Sequence, residues 1–139
     1  MKAYLIDPTT QTVKPLLVSE RLELPEIYRL LDCDLIDVVD VSSGPAPRQQ
    51  SDHSLYVDDE GLFKPEPSYF RLGDHSQPFA GKALLLGNGW NPDQTHMDVS
   101  PTLTLAELCG MVAWCVPSQR ELDKLLCWEF RDLRTGEVL

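Results

Sequence analysis

Three consecutive acids, Asp58-Asp59-Glu60, three histidines and four cysteines are the side chains in this sequence with the types to do chemistry. A hard cation needs several oxygens converging on one point. Consecutive residues of an extended chain point to opposite faces, so at best two of these three acids converge. No Asp-x-Asp-x-Asp-Gly loop surrounds them. The reading is a solvated turn, with Asp and Gly61 favouring the bend. His53, His75 and His96 fall in three stretches that read as loops, each beside or near an acid (Asp52, Asp74, Asp98). An imidazole near a carboxylate suits general-base work around neutral pH. However, no two histidines have metal-ligand spacing, and no Gly-x-Ser-x-Gly elbow is present. Cys109 and His75 would make a nucleophile and base only if the fold brought them together. These residues assign no catalytic group.

Cys33, Cys109, Cys115 and Cys127 form no Cys-x-x-Cys pair. A zinc ribbon is therefore not expected, and the thiols read as reduced. No metal, cofactor or required disulfide is expected. Gly87-Asn88-Gly89 has the look of a phosphate cradle, but Trp90-Asn91-Pro92 follows instead of a helix start. It reads as a tight turn. Tyr56, Phe63, Tyr69, Phe70, Phe79 and Trp90 crowd the middle third and read mainly as the packed face of a sheet. Trp90, with Gly, Asn and Pro around it, is the candidate for an exposed binding residue.

The net charge is -10 over 139 residues. Twelve acids and five bases fall within residues 1–63. With no basic patch, direct nucleic-acid binding is not expected. The excess charge reads either as solubilising or as a face for a basic protein. On the second reading the partner-binding residues are Asp32, Asp34, Asp37, Asp58, Asp59 and Glu60, with Trp90.

These residues need elements to hold them. Lys2–Asp7 and Thr12–Val18 read as a hairpin, with Pro15 on an edge. Leu24–Leu31 reads as a short helix with Pro25 in its first turn. Cys33–Val41 reads as an interior strand, because both of its alternating sets contain apolar residues. Residues 42–54 and 87–101 read as mobile loops. Ser54–Val57 and Leu62–Phe63 flank a hairpin turn at residues 58–61, with Gly61 at positive φ. Tyr69–Leu72 is extended, and Gly81–Leu86 is the central strand. Thr104 and Glu107 form a capping box for a helix whose apolar stripe is Leu105, Leu108, Val112 and Cys115. A further helix runs from Ser118 to about Trp128, and Phe130–Leu139 closes as a turn and strand. The expected core includes Leu5, Ile36, Val38, Val57, Leu84 and Leu86. The fold class is α+β: one domain over residues 1–139, with a mainly antiparallel sheet and two to three short helices.

Three segments carry a resemblance. They are Met1-Lys2-Ala3-Tyr4-Leu5-Ile6-Asp7-Pro8, Leu55-Tyr56-Val57-Asp58-Asp59-Glu60-Gly61-Leu62 and Phe79-Ala80-Gly81-Lys82-Ala83-Leu84-Leu85-Leu86-Gly87. In this order the chain resembles the domain-of-unknown-function family 3846, short proteins encoded by phages and plasmids. The resemblance runs roughly from Met1 to Leu108. It implies a mobile-element setting and no activity.

No charged-then-apolar leader and no bilayer-length apolar run is present, so a cytoplasmic protein without membrane contact is expected. The leading expectation is a non-enzymatic accessory protein that binds a host protein with a basic surface and so blocks a nucleic-acid-binding defence component. One alternative is a small-molecule or nucleotide binder with residues 87–98 over an aromatic pocket. The other is a hydrolase using a loop histidine.

Overall fold

The computed structural model describes residues 1–41, 52–73, 75 and 77–125. Its large sheet has the strand order β2-β1-β7-β4-β3, every neighbour antiparallel. The strands are β1 (Lys2–Asp7), β2 (Thr12–Leu17), β3 (Ile36–Val41), β4 (His53–Asp58) and β7 (Ala83–Trp90). The last four residues of β7 pair with β8 (His96–Val99). A second sheet has the order β6-β5-β9, from β5 (Tyr69–Leu72), β6 (Phe79–Ala80) and β9 (Val112–Cys115). The helices are α1 (Leu24–Leu31) and α2 (Leu105–Met111), and residues 119–125 are also helical. The result is a single α+β domain.

Hydrophobic pattern explains the order. Ala83, Leu84, Leu85 and Leu86 are all fully buried, so both faces of β7 are covered and it must be central. One face carries Tyr4, Ile6, Leu55, Val57, Ala83 and Leu85, packed against Phe70, Leu72 and Phe79 of the second sheet and Leu108 of α2. The opposite face carries Ala3, Leu5, Tyr56, Leu84 and Leu86 under Ile27 and Leu31 of α1. The molecule thus has three layers: α1, the large sheet, then the small sheet with α2.

Several expectations hold. The N-terminal hairpin forms, and Pro15 lies on edge strand β2. Helix α1 spans Leu24–Leu31 with its proline in the first turn. Both bonds of the Thr104–Glu107 capping box are made. Ser118 and Glu121 cap residues 119–125 in the same reciprocal way, and Arg71 of β5 pairs with Glu121.

Others do not. Among the described residues strand β3 is an edge rather than an interior strand, with Val38 48% exposed and Ile36 only partly buried. Residues 58–61 are not a hairpin turn. A 3-10 turn at Gly61–Phe63 follows β4, whose partners are β3 and β7. Gly61 is absent from the positive-φ residues, whereas Gly81 has φ 87°. Gly61 is required instead by space, since a Cβ there would lie 2.4 Å from the Ala80 carbonyl oxygen. Residues 87–101 are largely a hairpin, not a loop. Gly87 and Gly89 continue β7 because their missing side chains admit Val99 and Met97 of β8. Helix α2 stops at Met111, and Val112–Cys115 leaves the expected helical stripe to pair with β5. Gly110 weakens the helix there, and Val and Trp suit a strand. Of the expected loop at residues 42–54, His53 and Ser54 instead begin β4; its residues 42–51, the helix end near Trp128 and the strand at Phe130–Leu139 lie outside the described residues.

Candidate functional site

The acidic end is built where β3 begins, β4 ends and α1 closes. Ile36 stands opposite Asp58, and the Asp59 N–H donates to the Leu35 carbonyl at 3.1 Å. Helix α1 terminates on Asp32, whose left-handed backbone (φ 53°, ψ 51°) turns the chain so that the Cys33 N–H also reaches the Tyr28 carbonyl, at 3.1 Å. Asp tolerates that conformation better than most residues. Lys82, just before β7, reaches the Asp32 carboxylate at 2.6 Å. Lys64, just after the 3-10 turn, donates to the Asp32 carbonyl at 2.6 Å and pairs with Asp58 at 2.5 Å.

The six expected acids therefore divide. The side chain of Asp58 is 3% exposed; one oxygen meets Lys64 and the other accepts the Glu60 N–H at 2.9 Å. It is a structural anchor of the bend. The Lys82 ammonium holds the Asp32 carboxyl below the usual range, by hydrogen bond and then by charge. The hydrogen bond to Asp58 raises the Lys64 ammonium above its usual range. Asp34, Asp37, Asp59 and Glu60 are exposed and make no ion pair among the described residues. Burial, reinforced by the Asp58 charge, pushes the Cys33 thiol up, which disfavours a nucleophilic thiolate.

Trp90 does not join this end. It is 54% exposed at the opposite end of β7, roughly 23 Å from Ala83 at the rise of a strand. Its indole meets the His96 ring edge-on at 5.6 Å between centroids. His96 Nε2 lies 2.7 Å from Asn88 Oδ1, which also accepts the Ser54 hydroxyl at 2.7 Å. Beside them the Tyr56 hydroxyl donates to Asp98 at 2.7 Å. The alternation of β4, β7 and β8 puts Ser54, Tyr56, Asn88, Trp90, His96 and Asp98 on one face. Spacing along the chain gave no signal for this group, because each contact depends on strand register.

Tyr56 supplies a pH dependence. Burial first, then the hydrogen bond to Asp98, raise its phenol above the ordinary tyrosine range. The neutral phenol therefore stabilises the fold fully below the unfolded value of about 10. That contribution is lost as pH rises from there through the folded value. Tyr56→Phe is expected to flatten the alkaline limb of a melting-temperature profile between about pH 9 and 11. An unchanged alkaline limb would contradict it.

The histidines are not three loop residues. His53 is in β4 and His96 in β8, while His75 stands against the Phe79 ring at 5.7 Å. His53 is completely buried. Its Nδ1 lies 2.9 Å from Asp52 Oδ1, and its Nε2 accepts the Thr102 backbone N–H at 3.2 Å. A backbone N–H can only donate, so Nε2 carries no proton and Nδ1–H faces Asp52. The Thr102 hydroxyl is 3.3 Å from the same Nε2. A carboxylate, an imidazole and a hydroxyl thus lie in sequence, but the amide already occupies the nitrogen a base would use. The arrangement ties β4 to the segment entering α2. Cys109 sits exposed on α2, and Cys33, Cys109 and Cys115 are free thiols; Cys127 lies outside the described residues. Among the described residues no three His, Cys, Asp or Glu side chains converge as metal ligands, and no helix is long and apolar enough to cross a membrane.

Residues 1–109 match the family described as Domain of unknown function (DUF3846). The chain is 29% identical over 116 residues to the uncharacterized protein y4iR of Sinorhizobium fredii (strain NBRC 101917 / NGR234). That match covers 83% of this chain and 64% of the relative, so the chain spans less than two thirds of the relative's length. No solved structure matches.

Proposed function

The chain belongs to the DUF3846 family, and for this member we propose non-catalytic binding of a protein partner that presents a basic surface. The observation that carries the reading is the division of the acids at one sheet end. Two lysines anchor Asp32 and Asp58, and Asp34, Asp37, Asp59 and Glu60 stand exposed around them. The Lys64 ammonium bonds both the buried Asp58 carboxylate and the Asp32 carbonyl, so the backbone there is tied and the outer carboxylates are presented from a fixed frame. A partner that ordinarily grips nucleic acid has the complementary surface, and docking here would compete with its phosphates. The mobile-element setting and the host-defence component belong to this proposal; the sequence resemblance supports the first.

Asp34→Asn/Asp59→Asn/Glu60→Gln tests the reading and leaves Asp58 in place. Exposed charges of this kind change stability by only about 0.5 kcal/mol. The melting temperature is expected to stay close to that of the parent. Capture from a host lysate, with mass identification, is expected to enrich basic proteins on the parent, released by salt and absent from the variant. Equal capture on both chains overturns the reading.

A second reading, binding of a small polar ligand, is favoured by the Ser54–Asn88–His96 and Tyr56–Asp98 groups beside exposed Trp90. A thermal shift with a nucleotide panel would support it. The hydrolase alternative has less support, since the His53 base position is buried and occupied.

A further inference from the structure

Strand β3 is the last strand of the large sheet, and among the described residues it pairs with β4 alone. One contact just beyond the paired residues fixes the phase of its hydrogen bonds. The Asp59 N–H donates to the Leu35 carbonyl, and hydrogen-bonded pairs alternate along an antiparallel ladder. Leu35, Asp37, Val39 and Val41 therefore turn their backbone groups to β4. Ile36, Val38 and Asp40 turn theirs outward. The side chain of Asp37 agrees with this phase, because its Oδ1 accepts the outward Val38 N–H at 2.9 Å. Val38 is 48% exposed, Asp37 and Asp40 are exposed, and β3 holds no basic residue.

We propose that this edge receives an extended basic segment of a protein partner by strand addition, with lysine or arginine opposite Asp37 and Asp40 and an apolar residue opposite Val38. The proposal rests on the acidic-docking reading and names how the partner is held. Backbone bonds to Val38 and Asp40 supply affinity, and the alternating side chains supply specificity. Asp37 and Asp40 are three residues apart and stand on opposite faces. The incoming strand therefore needs two basic residues three apart, one for each face. Its carbonyl replaces the Asp37 carboxylate at the Val38 N–H, and its cation takes up the carboxylate so released. A second copy fits worse: pairing about Val38 makes the two Asp37 carboxylates diagonal neighbours roughly 7–8 Å apart and adds no cation. The other end strand, β2, is interrupted by Pro15, which has no N–H to offer.

The probe is the capped hexapeptide Thr-Lys-Val-Val-Lys-Thr, labelled for fluorescence anisotropy. It is compared with two forms N-methylated at alternate residues in opposite phase, and with a form in which Glu replaces Lys. The parent peptide is expected to bind and to shift the Val38 and Asp40 amide resonances. One methylated phase is expected to lose at least tenfold in affinity and the other to bind like the parent, while the Glu form does not bind. Val38→Pro removes an outward N–H that makes no ladder bond, so the protein is expected to fold and lose the peptide. Should that variant fail to fold, the methylation phase decides alone. Equal binding by both methylated forms overturns strand addition and leaves acidic docking intact. No peptide binding at millimolar concentration overturns it, as does protection of the Asp40 amide from exchange before peptide is added. Self-association abolished by Val38→Pro would overturn it in favour of a second copy.

Discussion

Leu85→Asp is expected to yield no soluble folded protein. Leu85 is fully buried, stands between Tyr4 of β1 and Leu55 of β4, and lies in the layer covered by Phe70, Leu72 and Phe79. The buried neighbours on that face are apolar except for the Tyr4 hydroxyl, which already donates to the Leu103 carbonyl. Burial of an unpaired carboxylate costs several kcal/mol or more, against a total stability of about 5–15. Leu17→Asp is the control: Leu17 is 86% exposed on edge strand β2. It is expected to fold within about 0.5 kcal/mol of the parent. Expression followed by thermal melting checks both. A Leu85→Asp protein that melts like the parent would remove β7 from the centre of the sheet.

Gly61→Ala is expected to destabilise the fold by roughly 1–3 kcal/mol, although it adds a single methyl group. The new Cβ would lie 2.4 Å from the Ala80 carbonyl oxygen and 3.2 Å from the Ala80 Cβ. The obstacle is backbone of β6, so no side chain can rotate away and the two segments must part. Gly110→Ala is expected to have the opposite sign. Nothing lies within 4 Å of its added Cβ, and it occupies a helix. Alanine there stabilises by about 0.5–1 kcal/mol. Denaturant unfolding of the two variants side by side checks the contrast. A neutral Gly61→Ala would mean that β6 does not press on the turn.

Local chemistry was legible in the sequence wherever a few adjacent residues decide the outcome. The Thr104 capping box, the Pro25 helix start and the run of apolar residues at β7 each rest on such short-range physics. Partner choice between distant segments was not legible. Alternating valines and aspartates suit a strand, but whether β3 lies inside the sheet or at its rim depends on what stands beyond it. The helical stripe through Val112 and Cys115 was overridden because β5 offers a ladder to those residues. Asp58 and Asp59 look alike in sequence, yet one is an anchor and the other a free surface charge. The position of Lys64, after a turn whose shape hinges on the approach of Gly61 to Ala80, separates them. The Asp52–His53–Thr102 tie and the network around Asn88 had no sequence signal, since their members come from separate strands and loops.

The place of β7 between β1 and β4 also bears on how the chain is made. Leu84 of β7 pairs with Leu5 of β1 and Tyr56 of β4. Both earlier strands leave the ribosome before the one that joins them, β1 long before. At roughly 5–20 residues per second, β1 waits about 4–16 s for its central partner. The β1–β2 hairpin presents an open apolar edge through that interval, and the β3–β4 pair presents one for roughly its last 1.5–5.5 s. Closing the sheet requires a long-range encounter, and topologies of that kind fold slowly. A nascent chain halted before Leu86 would hold two half-sheets with nothing between them, and such a truncated product is expected to be found with chaperones or proteases instead of in the soluble pool.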